Sequence, residues 1–220
     1  MSVLVILGPP GAGKGTQAVM LAERLGVPHI ATGDLFRAAV AARTPIGREV
    51  AQYMGRGELV PDEITLQVLL ERLRQRDAAA GAVLDGFPRN RRQAEALDAA
   101  LAERGLRVDR AVMIEVPAED LIRRLAGRWQ CRAGGHVYHE VTHPPRVPGV
   151  CDIDGSPLYQ RDDDRMETIR ARLAQQLAAL HDVVGYYRER GVLATVDGRG
   201  SIREVADAVG SVLAGVGPVR

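Results

Sequence analysis

Five consecutive apolar residues, Val3 to Leu7, run straight into Gly8-Pro9-Pro10-Gly11-Ala12-Gly13-Lys14-Gly15-Thr16. Helix-forming residues from Gln17 to Leu25 follow. The order of strand, glycine loop and helix constrains this chain more than any other feature. An apolar run without polar alternation suits a strand covered on both faces, and hence a parallel sheet. The glycines let the backbone curl until successive N–H groups face one point. The first turn of the following helix adds the positive end of its dipole there. Such a cradle fits a phosphate. Lys14 supplies a mobile charge for the outer phosphates of a nucleotide. The general form of the motif puts a hydroxyl directly after the lysine. Here Gly15 intervenes and Thr16 carries the hydroxyl.

The basic residues sharpen this reading. There are 29, and every one except Lys14 is an arginine. A compact ammonium with rotatable donors and a planar forked guanidinium are different tools. A lone lysine in a phosphate loop therefore has a chemical reason to be there. Acidic residues number 28, so the net charge is +1. That balance argues against a general nucleic-acid or membrane-surface binder, which carries a large basic excess. The five apolar residues before the first turn are too few for a signal-peptide core. No run approaches the roughly 18 apolar residues of a membrane span. The expectation is a soluble cytoplasmic protein. With no heptad seam in sight, it is also expected to be a monomer.

Further strands are expected at His29–Ala31, Ala82–Leu84, Ala111–Val116 and Leu193–Val196. Between them lie helical patterns. Pro61-Asp62-Glu63 opens one, with acids near the positive end of its dipole. Ile64, Val68, Leu69 and Leu73 then share a face. Met166, Ile169, Leu173, Leu177, Leu180 and Val184 repeat along a long last helix. Strand–helix alternation gives an α/β fold, a parallel sheet flanked by helices. Two stretches interrupt it. Residues 33–60 are helical without a strand. Residues 129–160 hold four Pro, both Cys, three of the five His and the only Trp. That is too long for an ordinary connection and suits a lid or small subdomain.

Eight segments, in this order, resemble the adenylate kinase family. They are GPPGAGKGT (8–16), ATGDLFR (31–37), GELVPDE (57–63), LDGFPRN (84–90), GRW (127–129), VYH (137–139), YQRDDD (159–164) and ETIRARL (167–173). The resemblance covers essentially the whole chain. It implies a P-loop nucleoside monophosphate kinase fold and the reaction MgATP + AMP ⇌ 2 ADP. It implies a core of 1–30, 61–126 and 165–220, a helical AMP-binding insert at 31–60, and a small β-rich lid at 127–164. Lid closure comes with it.

The resemblance also distributes roles. Gly11, Ala12, Gly13, Lys14, Gly15 and Thr16 hold ATP phosphates. Arg128, Val137 and Tyr138 cover ATP from the lid. Arg124 stacks on its adenine, and the backbone near Gly200 closes the other side. Thr32, Arg37, Glu58, Leu59, Val60, Gly86, Phe87, Pro88, Arg89 and Gln93 form the AMP pocket. Arg161 and Arg172 approach the transferring group. Asp85 resembles the carboxylate that holds magnesium waters, and Asp163 and Asp164 are hinge and lid residues. The physical reading agrees with this division. Phosphoryl transfer needs two anions in line and their charge neutralised, for which forked guanidiniums are well shaped. The lid and insert would exclude water, the rival acceptor.

Lids of this family often carry Cys-x2-Cys followed by Cys-x2-Cys or Cys-x2-Asp around a structural zinc. Cys151-x2-Asp154 fits the second half. In the first half the expected cysteine is Gly134, and His136 would supply the missing nitrogen. The candidate tetrad is Cys131, His136, Cys151 and Asp154. A disulfide and two buried small thiols are the alternatives. For the whole chain, the alternative functions are another nucleoside monophosphate kinase, acting on UMP or CMP or using GTP as the donor to AMP, and a nucleotide-binding P-loop module without catalysis.

Overall fold

The computed structural model describes residues 2–55, 60–161, 164 and 166–214. Its strands are β1 (Ser2–Leu7), β2 (His29–Ala31), β3 (Gly81–Asp85), β4 (Val108–Glu115), β5 (Arg128–Cys131), β6 (Val137–His139), β7 (Leu158–Tyr159) and β8 (Leu193–Asp197). Its helices are α1 (Lys14–Leu25), α2 (Thr32–Ala41), α3 (Pro45–Gly55), α4 (Asp62–Leu73), α5 (Arg91–Ala102), α6 (Ala118–Ala126), α7 (Met166–Glu189) and α8 (Ile202–Leu213). Five strands form a parallel sheet in the order β2-β3-β1-β4-β8.

The apolar run of β1 sits at the centre of this sheet, and Val3 to Leu7 are each at most 3 % exposed. Successive side chains of a strand point to opposite faces. Val3, Val5 and Leu7 accordingly pack with Leu69 and Leu73 of α4, Leu97 and Leu101 of α5, and Val183 and Tyr187 of α7. Leu4 and Ile6 meet Leu21 of α1, Leu121 and Leu125 of α6, Ile169 and Leu173 of α7, and Val205 and Val209 of α8. Each fully buried leucine or isoleucine contributes ~1.5–3 kcal/mol, so this double coverage holds the sheet rigid. The long helix α7 joins both layers, its first half on one face and its last turns on the other.

The strand β1 lies between β3 and β4, yet its own connection through α1 leads to β2 at the edge. Chain paths diverge at the C-terminal end of β1. In open parallel sheets ligands bind at such a switch point.

All five expected core strands are present. The fourth begins earlier than its apolar run, at Val108, because Val108 and Arg110 pair with Val3 and Leu4 of β1 across an irregularity at Asp109. The apolar side of α4 serves two cores. Leu69 and Leu73 enter the main one. Ile64 and Val68 turn to a separate cluster of Phe36, Val50 and Val60, which holds α2 and α3 together. Met166 departs from the expected stripe: it is the first residue of α7 and 57 % exposed, and burial begins at Ile169. The stretch expected to be a lid folds as a second sheet, antiparallel, in the order β6-β5-β7. Its own small core is Cys131, Tyr138 and Cys151, with Trp129 and Leu158 against it.

Helices α2 and α3 cross tightly at Gly47, where a Cβ would overlap the Ala39 carbonyl. Replacing an ordinary helical glycine with alanine gains up to ~1 kcal/mol. Here the clash with backbone costs about 1–3 kcal/mol and decides the sign. Gly47→Ala is expected to lower the urea midpoint of unfolding. A raised midpoint would mean that the crossing is looser than described.

Candidate active site

The phosphate loop is shaped by what surrounds it. Gly8 has φ 151°, and a Cβ there would stand 2.9 Å from the Ile114 carbonyl at the end of β4. Gly11 has φ 83°, and its Cβ would press against the Leu121 carbonyl of α6 at 3.1 Å. The loop thus passes through a space that only bare backbone fits. Gly13 precedes α1, which has no side-chain cap and no acid in its first turn. The first N–H groups of that helix remain for an anion. Lys14 folds back across the loop, and its Nζ donates to the Pro9 carbonyl at 3.0 Å.

Asp85 ends β3 and pairs in register with Ile6 of β1 and Ala31 of β2. This places its carboxylate against the loop. A Cβ at Gly15 would lie 3.3 Å from Asp85 Oδ2. The unusual glycine after the lysine therefore leaves room for Asp85, and Thr16 follows, half-buried. His29 Nε2 stands 3.5 Å from Asp85 Oδ2. Burial pushes the Asp85 carboxyl up. The His29 ring and the charges of Lys14 and Arg89 outweigh burial and hold it below the ordinary carboxylate value.

The next residue, Gly86, turns the chain at φ 74° and faces the other way. Its carbonyl accepts from Thr32 Oγ1 at 3.2 Å and from Arg89 Nε at 2.8 Å. Gln93 is 4 % exposed. Its Oε1 accepts from the Arg89 backbone N–H at 2.7 Å, and its Nε2 donates to Asp62 Oδ1 at 2.6 Å. Asn90 caps α5 by accepting from the Gln93 N–H at 2.8 Å. Its own amide donates to both Asp62 oxygens at 3.2 Å. Arg37 pairs with Asp34 and lies against Gly33. The side chains of Phe87, Pro88 and Val60 are buried. Glu58 and Leu59 lie outside the described residues, as does Asp163.

Among the residues expected at ATP, Arg124 donates to the Gly198 carbonyl at 2.8 Å, two residues from Gly200. Arg128 forms a two-pronged pair with Asp164, at 2.7 and 2.5 Å, and Asp164 is 1 % exposed. Arg161 is half-buried beside it in sequence, and Arg172 belongs to α7. Val137 is 49 % exposed, whereas the Tyr138 ring is buried in the lid.

In the lid, one ligand atom from each of Cys131, His136, Cys151 and Asp154 lies within 4.8 Å of the others. Cys131 Sγ is 3.1 Å from Asp154 Oδ2, and His136 Nδ1 is 3.3 Å from Cys151 Sγ. The two cysteines are free thiols. A Cβ at Gly134 would overlap the His136 ring and come 2.8 Å from Asp154 Oδ2. The imidazole fills the space in which a side chain at 134 would sit. Burial raises the Cys151 thiol, but the Tyr138 hydroxyl and the N–H groups of Asp154 and Ile153 bring it below its ordinary value.

Asp62 and Asn90 are functional candidates that sequence reading passed over. Asp62 was legible only as an acid in the first turn of a helix, and Asn90 only as part of a segment.

A phosphate cradle at the switch point, the hydrogen-bonded cluster of Thr32, Gly86, Arg89 and Gln93 beside it and a separate lid define a P-loop nucleoside monophosphate kinase fold. The adenylate kinase family model matches residues 6–192. The chain is 50 % identical over 210 residues to an adenylate kinase of Thermodesulfovibrio yellowstonii, covering 96 % of this chain and 98 % of that one. It is 49 % identical over 212 residues to one of Exiguobacterium sibiricum, covering 96 % and 99 %. With one of Streptomyces griseus it shares 48 % over 203 residues, covering 92 % and 93 %. The chain belongs to the adenylate kinase family.

The fold favours ionised Asp85, so its contribution to stability is complete at neutral pH. It fades as pH falls below the ordinary carboxyl value of 3.8. Asp85→Asn is expected to lose less stability than wild type between neutral pH and pH ~3, read as urea midpoints. An equal loss in both would contradict this placement of Asp85.

Proposed function

We propose that this protein transfers a phosphoryl group from ATP to AMP, reversibly, giving two ADP. The supporting observation is the adjacency of Asp85 and Gly86. One faces the loop with Lys14, and the other gathers Thr32 and Arg89, with Gln93 held to Arg89. Donor and acceptor cradles thus meet at the end of one buried strand, which suits in-line transfer.

The acceptor is already an ionised phosphate, so no general base is needed. One of its oxygens forms a bond to the γ-phosphorus while the bond to the bridging oxygen of ADP breaks. The loop N–H groups and Lys14 hold the donor phosphates. Arg37 and Arg89 hold the AMP phosphate, and Arg128, Arg161 and Arg172 are assigned to the transferring group. In a site closed to water each such donor contributes ~3 kcal/mol to the transition state. Arg124 and the backbone around Gly200 flank the ATP adenine. Thr16 and Asp85 offer a hydroxyl and an ionised carboxylate, hard oxygen donors that suit Mg2+. The ion supplied with ATP neutralises phosphate charge there. The insert 31–60 and the lid 127–164 close over the nucleotides and exclude water.

This reading takes the protein as a cytoplasmic monomer with ATP, AMP and ADP as partners rather than nucleic acid or membrane. The near-neutral charge supports it. Among the described residues no helix is long and apolar enough to cross a membrane.

We also assign the lid tetrad to a structural Zn2+. Two thiols, an imidazole nitrogen and a carboxylate are a zinc donor set. The His136 ring standing in the place of a side chain at 134 supports it as the fourth ligand.

Lys14→Met is expected to reduce ADP formation from ATP and AMP by about 10²–10³-fold while remaining folded. Near-wild-type turnover would overturn the assignment of Lys14. Protein purified without added metal is expected to hold one zinc per chain by elemental analysis. His136→Ala is expected to lose it and to melt at lower temperature. Zinc near zero, with no effect of chelator on melting, would remove the metal site.

A further inference from the structure

We propose that Asp62 sets the base specificity of the acceptor site by fixing which way round the Gln93 amide faces. This rests on Gln93 belonging to the AMP pocket, as proposed above, with its amide taken to face the base.

A glutamine amide has two nearly isosteric ends of opposite hydrogen-bonding character. Its oxygen accepts twice and its nitrogen donates twice. Left alone, it rotates to suit either a donor or an acceptor. Gln93 is not left alone. Its Oε1 meets the Arg89 backbone N–H, which only donates. Its Nε2 meets Asp62, an acceptor in its ionised form. Rotating the amide by half a turn would set oxygen against the carboxylate and NH2 against the N–H. Two hydrogen bonds would become two repulsive contacts in a residue that is 4 % exposed.

Asp62 is itself held. The Asn90 amide donates to both of its oxygens. The Asn90 oxygen is tied in turn to the Gln93 backbone N–H, so Asn90 cannot flip either. The result is a closed ring of three side chains joining the start of α4 to the start of α5, with one polarity throughout.

Among the described residues, the protein uses one lone pair and one proton of the Gln93 amide. One lone pair and one proton remain, in a fixed order. A 6-aminopurine offers an N–H donor beside a ring-nitrogen acceptor, the complement of that order. A 6-oxopurine offers an acceptor at position 6. Beside it stands an N–H donor on one edge and a second acceptor on the other. The first edge matches only a flipped amide, and the second matches neither orientation. The carboxylate of Asp62 therefore discriminates between amino and oxo purines without touching the base.

The test compares AMP with IMP, which replaces the 6-amino group by oxygen. Steady-state kcat/KM is measured for both in wild type, Asp62→Asn, Gln93→Ala and the double variant. An asparagine at 62 presents either a donor or an acceptor, so the restraint on Nε2 is removed and only the Arg89 N–H still favours the original orientation. Asp62→Asn is expected to lower the AMP:IMP ratio of kcat/KM about tenfold, with KM for ATP unchanged. In the Gln93→Ala background the same substitution is expected to leave the ratio unchanged. A general loosening of the pocket would shift it in both backgrounds and would overturn the proposal. If Gln93→Ala collapses the ratio but Asp62→Asn stays within about twofold of wild type, the role of Asp62 is refuted and that of Gln93 stands. If Gln93→Ala changes neither the ratio nor KM for AMP, the placement of Gln93 at the base fails instead. NMR of the wild-type Gln93 side-chain amide covers the case of an unstable variant. Its NH2 signals are expected to shift with saturating AMP and much less with saturating IMP, and equal shifts would refute the fixed polarity.

Discussion

The phosphate loop is held in a slot of backbone. The carbonyl of Ile114 approaches from β4 on one side, and that of Leu121 from α6 on another. Gly8 and Gly11 are the residues that fit, each at a positive φ. This crowding is what a cradle of N–H groups requires, since a flexible loop would reorganise around each ligand and lose much of its binding energy. The crowding depends in turn on β4 and α6 being fixed, and Val112 and Ile114 of β4 and Leu121 and Leu125 of α6 are anchored in the same buried layer as Leu4 and Ile6. The chemistry of the loop and the packing of the sheet are one constraint.

Charge is arranged with equal economy. Several of the cations assigned to phosphate already have an anchor in the protein. Arg37 sits with Asp34, Arg128 with the buried Asp164, Arg89 with the Gly86 carbonyl, and Lys14 with the Pro9 carbonyl. An extended arginine loses ~2 kcal/mol of side-chain freedom when it is ordered from solvent. A side chain already oriented by a neighbour loses less on meeting its substrate. A bidentate pair such as Arg128 with Asp164 also keeps a charge from lying unpaired at the root of the lid.

How much of this was legible in the sequence follows the reach of each interaction. The strand–loop–helix and the strands around Ala82, Ala111 and Leu193 are carried by short apolar runs, and the structure holds them where those runs lie. The insert was legible as helical because its periodicity is local. Contacts between distant segments were not legible. Asp62 and Gln93 are 31 residues apart, and nothing in either neighbourhood announces the other. Arg128 and Asp164 are 36 apart, at the two ends of the lid. The double role of α4 was hidden for the same reason. Its apolar positions form one stripe in sequence but meet two cores, and only the placement of Phe36 and Val50 separates Ile64 and Val68 from Leu69 and Leu73. The tetrad in the lid lies between. Its spacing suggested which residues to gather, but the overlap between a side chain at 134 and the His136 ring is visible only in three dimensions.

The lone lysine now has a steric reason as well as an electrostatic one. A Cβ at Gly8 would stand 3.5 Å from Lys14 Cγ, so the stem of the lysine runs close along the loop it serves. Its ammonium then reaches back to the Pro9 carbonyl at 3.0 Å. A thin methylene chain ending in a point charge follows that path. A guanidinium is a rigid plane, broader than the stem, and directs its donors along fixed lines. At the rim of the site, where two phosphate oxygens are grasped from a distance, that plane is an advantage. Inside a loop where Gly8 and Gly11 press against backbone carbonyls, the slimmer stem is the better fit. The single basic residue of the sequence that is not an arginine is the one whose stem lies along this loop.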